Sequence, residues 1–293
     1  MLLLVNRSLP SGTLFTREQE YIIALNKNNS AIFGEFFFKS ITKGRSKIRF
    51  FMLSKNQIKL ITSLQQKKYR KQHQLFFAEG VKVIQELLNS NFELEHIFTT
   101  ADDFQNVLKN KISFISEAEL KKVSALTTPN TCLALFKIPA ERSVVEKGLI
   151  VALDDIRDPG NLGTIVRLCD WFGVTQLVCS METVDVYNPK VVQATMGSIT
   201  RVAVAYDDIA KFLGETKLPV FGTYMDGASI YKTQLPKEGI LVMGNEANGI
   251  SAEIEKLTPN RLSIPRFGDL QQTESLNVAT ATAIILSEFK RLG

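Results

Sequence analysis

Cysteine, histidine and tryptophan are scarce in this chain, numbering 3, 2 and 1 among 293 residues. Cys132, Cys169 and Cys179 show no CxxC spacing. Neither a zinc site nor a disulfide framework is therefore indicated, no metal is expected, and the thiols suit a reducing, cytoplasmic setting. The two histidines, His73 and His96, lie well before the glycine- and asparagine-rich stretches of the C-terminal half, which argues against a histidine base or a Ser–His triad there. No apolar run approaches the ~18 residues that span a bilayer, so no membrane partner is expected. No GxxxxGK[ST] occurs, and the first strong strand is not followed by GxGxxG. These absences disfavour a P-loop hydrolase and a dinucleotide-dependent oxidoreductase.

What is present is unevenly distributed. Residues 1–51 carry 8 Lys/Arg against 3 Asp/Glu, residues 52–147 carry 14 against 10, and residues 148–293 carry 13 against 17. A basic front and a mildly acidic back suggest that a polyanion is held by the first part while chemistry is done by the second. Residues 1–51 show no period of a packed element. They read as a flexible basic extension or as an over-extended reading frame ahead of Met52. Ser54 is a candidate N-cap for a helix whose Ile58, Ile61 and Leu64 share one face. Its other face and the next turn hold Lys55, Lys59, Lys67, Lys68, Arg70 and Lys71, and no acid intervenes between Met52 and Glu79. This is the chain's best nucleic-acid footprint, with a solvated lysine-rich helix as the plain alternative.

The stretches QLFFAEG, ELEHIFTT, KISFIS and TCLALFKIP read as strands. GVKVIQELLNS, ADDFQNVLKN and EAELKKVSAL read as helices. Together they predict a small α/β domain over 52–140, followed by a linker at 141–148. From Leu149 onward, LIVALDDI, QLVCS, RVAVAY, LPVFGTYM and GILVMG are apolar runs of the kind buried on both faces, so 149–293 is predicted to hold a mostly parallel sheet. Three polar turns follow buried strands there. The first is DDIRDPGNLGTIVR, in which Asn161 stands as a helix N-cap. The second is Met243–Ser251, MGNEANGIS, and the third is Glu274–Asn277, which ends a loop after Ile264 and opens the last helix. Glycines permit close backbone approach, while the Glu246 carboxylate would repel a diphosphate. In a parallel sheet all three turns should meet at one edge.

NLGTIVR, GNEANGIS and SLNV, in that order and spacing, resemble the three motifs of the SpoU/TrmH family of SPOUT-class RNA methyltransferases. LFFAEGVKVIQELL is similar to that family's substrate-binding domain. The resemblance spans roughly residues 54–291 and leaves 1–51 outside it. It implies a trefoil-knotted α/β domain, S-adenosyl-L-methionine as cofactor, a homodimer, and methyl transfer to a ribose 2′-hydroxyl, in ribosomal RNA or alternatively transfer RNA. A noncatalytic RNA-binding protein of the same fold is the other reading. By the same resemblance Thr223, Gly244, Ile264 and Leu276 would hold the cofactor, and Asn161, Arg167, Glu246, Ser275 and Asn277 would line the catalytic side. Two departures stand out: the loop between Ile264 and Leu276 is longer than the family's usual one, and Arg266 replaces a commonly apolar residue.

Overall fold

A computed structural model of the chain describes residues 37–40, 49–140, 143–268 and 275–291. Most of the 1–51 extension, part of the 141–148 linker and the middle of the 264–276 loop thus lie outside the described residues. Within the extension, β1 (Phe37–Ser40) and β2 (Arg49–Met52) pair antiparallel. Phe51 of β2 also bridges Ile115. Paired strands therefore occur where the sequence showed no period, because a two-stranded ribbon needs only a few paired residues.

The next elements are α1 (Lys55–Ser63), α2 (Lys67–His73), β3 (Leu75–Glu79), α3 (Val81–Leu88), β4 (Leu94–Thr99), β5 (Ile112–Phe114), α4 (Glu117–Val123) and β6 (Cys132–Lys137). Ser54 does cap α1. Its hydroxyl accepts from Gln57 N–H at 3.2 Å, and Gln57 Oε1 accepts from Ser54 N–H at 2.8 Å, a reciprocal capping box. The buried face is Leu60, Ile61 and Leu64, with Ile58 only half-buried. The strands order β3-β6-β4-β5, antiparallel except for β4 beside β5.

The helix expected over ADDFQNVLKN is not formed. Residues 101–108 are irregular, followed by a single 3-10 turn at Lys109–Lys111. Ala101 N–H donates to Thr99 Oγ1 at 3.1 Å, turning the chain away. The segment buries Phe104 but offers no full apolar stripe, and Asp102, Asp103 and Asn106 favour local turns over helix.

The C-terminal part runs β7 (Leu149–Leu153), α5 (Pro159–Trp171), β8 (Gln176–Cys179), α6 (Pro189–Thr195), β9 (Ala203–Tyr206), α7 (Ile209–Glu215), β10 (Val220–Ser229), β11 (Gly239–Met243), α8 (Ala252–Glu255), β12 (Asn260–Ser263) and α9 (Val278–Arg291). Six parallel strands order β12-β10-β11-β7-β8-β9. Strands β7 and β11 are buried at every position, which is why they read as unbroken apolar runs. The chain leaves β7 toward β8 and β9, then crosses to the other side and returns as β11. The strand order therefore switches between β7 and β11, the place where parallel sheets open a ligand crevice beyond their C-terminal ends.

The two sheets are joined through packed side chains. Phe76 of β3 lies 4.9 Å from the Tyr187 ring, and both parts share one apolar cluster. Arg70 is buried at 2 % exposure. Its Nε and Nη2 donate to Asp185 Oδ2 at 2.8 and 2.5 Å, and its Nη1 donates to the carbonyls of Leu64 and Gln65. The expectation that Arg70 belongs to an exposed basic face is corrected here. Its side chain is spent on holding α2 to the loop ahead of α6, and it is not available to a phosphate.

Candidate active site at the sheet switch point

Strand β7 ends in Asp154-Asp155, and the turn after it is built by side chains. Asp155 adopts φ 58°, a left-handed conformation that aspartate tolerates better than most residues. Its N–H donates to Ser180 Oγ at 3.0 Å. The buried Asp154 carboxylate accepts from Ser251 N–H at 2.7 Å, tying this turn to the end of the loop after β11. Asp158, not Asn161, is the N-cap of α5: its Oδ1 accepts from Asn161 N–H at 2.8 Å, and Pro159 occupies N1. The helix starts one turn earlier than the sequence suggested because proline at N1 loses no intrahelical bond. Asn161 sits inside the first turn with its amide free to reach outward. Gly163 of the same motif serves packing, since a Cβ there would lie 2.4 Å from Ala194 Cβ on α6.

The loop after β11 closes on itself. Asn245 and Gly249 exchange both backbone hydrogen bonds at 2.9 Å. Asn245 Oδ1 accepts from Ala247 and Asn248 N–H, while its Nδ2 donates to Asp155 C=O at 2.6 Å. Gly244 lies beneath this closure, and a Cβ there would meet the Gly249 and Ile250 backbone at 2.2–2.5 Å. The closed loop holds Glu246 exposed at its tip. Asn277 caps α9, its Oδ1 accepting from Ala279 and Thr280 N–H at 3.0 and 3.2 Å.

The three turns meet. Asn277 Nδ2 donates to Asn161 Oδ1 at 2.9 Å, and Asn161 Nδ2 donates to Glu246 Oε1 at 2.6 Å. One directional relay, Asn277 to Asn161 to Glu246, thus links residues from three separate loops and terminates on a carboxylate. Charge-assisted bonds of this kind are shorter and stronger than neutral ones. Arg167 is not part of the relay. It is exposed on the stripe of α5 that also carries Gly160, Thr164 and Trp171, positions three and four apart on one helix face. Ser275 and Leu276 are exposed beside Asn277.

Among the other expected residues, Thr223 Oγ1 donates to Val242 C=O at 3.3 Å, linking the first half of β10 to the end of β11. Ile264 is half-buried against the core just after β12. Lys55, Lys59, Lys67, Lys68 and Lys71 are exposed, with Lys67 Nζ 5.5 Å from the Tyr206 ring centroid. Sequence reasoning missed Asp154, Asp155 and Asn245, whose work is to shape backbone. The only signal available was a pair of acids and an amide directly after buried strands. Among the described residues no three His, Cys, Asp or Glu side chains converge as metal ligands, and no helix is long and apolar enough to cross a membrane.

A parallel sheet whose switch-point edge brings Asn161, Glu246 and Asn277 together, joined to a small α/β domain with a lysine-rich helix, is the setting in which such sheets take a ligand. Comparison with known proteins makes this specific. Residues 148–287 match the SpoU rRNA Methylase family, and residues 55–134 match the MRM3-like substrate binding domain. The chain is 30% identical over 241 residues to the 23S rRNA (guanosine(2553)-2'-O)-methyltransferase RlmP of Bacillus subtilis, covering 80% of this chain and 96% of that protein. A TrmH-family structure from Porphyromonas gingivalis superposes with a TM-score of 0.76 at 39% identity, covering 83% of this chain and all of the other. An AdoMet-bound rRNA methyltransferase from Sinorhizobium meliloti gives a TM-score of 0.72 at 27% identity, covering 80% and 94%. The chain belongs to the SpoU/TrmH family of rRNA methyltransferases.

Proposed function

We propose that the protein transfers a methyl group from S-adenosyl-L-methionine to a ribose 2′-hydroxyl of ribosomal RNA. The observation that carries this reading is the Asn277–Asn161–Glu246 relay at the switch point, in a chain whose relatives are rRNA 2′-O-methyltransferases. The residues present fit the cofactor. Thr223, Gly244, Ile264 and Leu276 are neutral, and Glu246 adds a carboxylate that favours a sulfonium and disfavours a polyphosphate. The cofactor, when bound, supplies an electrophilic methyl group. The relay fixes the Asn161 amide and the Glu246 carboxylate before substrate arrives, which is the preorganisation that lowers a barrier electrostatically.

The attacked hydroxyl must lose its proton, which passes to solvent water as the oxygen takes the methyl group. In the family resemblance the base would be Arg167, yet a guanidinium stays protonated in proteins. We assign Arg167 to the adjacent RNA phosphate and to the developing alkoxide. Ser275 and Asn277 close the same side. Lys55, Lys59, Lys67, Lys68 and Lys71 take the RNA backbone farther out. A homodimer and a trefoil knot belong to the same reading. The dimer is supported by Trp171, 84 % exposed on the outer stripe of α5 next to Arg167. The knot is supported by α9 packing back on α5 after the last motif. We place the protein in the cytoplasm, in keeping with its three free buried cysteines.

The test is a map of ribose methylation in total RNA from a strain lacking the gene. One or more 2′-O-methyl sites in ribosomal RNA should vanish and return on addition of the purified protein. Loss confined to transfer RNA would move the substrate there, and retention of every site would count against the reaction.

A further inference from the structure

Two aromatic rings stand in water near the switch-point edge. Phe267 is 82 % exposed and Tyr231 is 43 % exposed, with ring centroids 6.3 Å apart and planes 36° from parallel. Phe267 lies in the chain leaving β12, on the way to Ser275. Tyr231 belongs to the short turn Ile230–Lys232 that follows β10. Because β10 and β12 are paired and parallel, both rings emerge at strand C-terminal ends, the edge that also bears Gly244 and Glu246. The turn under Tyr231 is anchored, with Ile230 buried at 1 % exposure and Thr233 Oγ1 donating to Ser229 C=O at 2.9 Å.

Each ring has a cation beside it in sequence. Arg266 precedes Phe267 and Lys232 follows Tyr231, both exposed. Arg266 Nη2 lies 4.0 Å from Met225 Sδ, which places this side chain beside the irregular middle of β10, where its pairing with β12 shifts register. Exposed rings interleaved with cations match a surface that stacks unpaired bases and meets their phosphates. A partner subunit seated here would have to desolvate both flanking cations or supply carboxylates to them, whereas RNA phosphates pair with them directly.

We propose that Tyr231 and Phe267 form a stacking platform for an unpaired base of the RNA next to the methylated nucleotide, with Arg266 and Lys232 meeting the phosphates on either side. The platform rests on the RNA reading given above. It reads a ring face and no base edge, so it places the nucleotide without selecting its identity.

The test compares Phe267→Trp, Phe267→Leu, Phe267→Ala and Tyr231→Ala with the parent protein. Three quantities are measured: affinity for ribosomal RNA isolated from a strain lacking the gene, affinity for S-adenosyl-L-methionine by calorimetry, and subunit number by sedimentation. The leucine and alanine variants should bind RNA about tenfold more weakly, the size expected for losing one base–aromatic stack. The tryptophan variant should stay within about twofold. Cofactor affinity and subunit number should not move. Wild-type RNA affinity in Phe267→Leu would overturn the platform. So would a loss of cofactor affinity or of dimer in the same variant, which would assign the ring to the cofactor or to a partner subunit. If the parent protein bound no ribosomal RNA, the functional reading would fall together with the platform, a result distinct from either of these.

Discussion

Arg70→Met removes the charge that ties α2 to Asp185. The side chain it replaces is 2 % exposed, and Asp185 is 14 % exposed. The substitution leaves the carboxylate without its two guanidinium bonds and leaves the Leu64 and Gln65 carbonyls without their donor. Removing one member of a buried ion pair costs roughly 3–5 kcal/mol, and slight access of water to Asp185 puts this case near the lower end, about 3 kcal/mol. Denaturant unfolding of the full chain measures it. Adding Asp185→Asn to Arg70→Met should recover part of the loss, because the orphaned charge is gone, and the cycle should show a coupling of about 1–3 kcal/mol. A cost below about 1 kcal/mol for Arg70→Met, with RNA affinity reduced, would refute the reasoning and return Arg70 to the RNA-facing set.

Gly244→Ala should destabilise the fold by about 1–3 kcal/mol and abolish S-adenosyl-L-methionine binding in calorimetry, because the new methyl must displace the Gly249–Ile250 backbone. Arg167→Lys should retain measurable turnover, since a cation is kept near the alkoxide; complete loss with RNA affinity intact would exclude a role by charge alone. Burial, with Lys111 nearby, pulls His96 down to about 4 from its ordinary 6.5. The unfolded chain takes up that proton near pH 6.5 and the folded chain does so only near 4. His96 therefore stabilises the fold above pH 6.5, and about 3 kcal/mol is lost as pH falls through that window. Unfolding free energies of His96→Gln should fall less steeply there than those of the parent. Burial pushes the Cys132 thiol up to about 11 and Cys169 up to about 12, and raises Cys179 as well. At pH 8 iodoacetamide should label none of the three in the folded chain and all three after unfolding.

The parts of this fold that were legible in the sequence are those governed by local pattern. Strands β7 and β11 announced themselves because burial on both faces removes every polar residue from the run. Ser54 was readable because a capping box is written within four residues. The relay was legible in outline, since three polar turns after parallel strands must share an edge. Its wiring was not, because Asn161 and Asn277 look alike as caps and only Asn277 is one. Arg70 was misplaced for the opposite reason: its partner lies 115 residues away, and nothing local distinguishes it from the lysines around it. Asp155 and Asn245 escaped notice because they act on backbone, Asp155 through a left-handed turn and Asn245 by bonding the tip of its own loop and the Asp155 carbonyl of another. The failed helix at residues 101–108 shows the limit of pattern without a full apolar stripe.

The most direct test of the central claim is to incubate the purified protein with S-adenosyl-L-methionine labelled at the methyl group and ribosomal RNA from a strain lacking the gene. The RNA is then digested to nucleosides and the label located. Label is expected in 2′-O-methylated nucleoside and in no methylated base. Label on a base, or tight RNA binding with no label transferred, would contradict that claim.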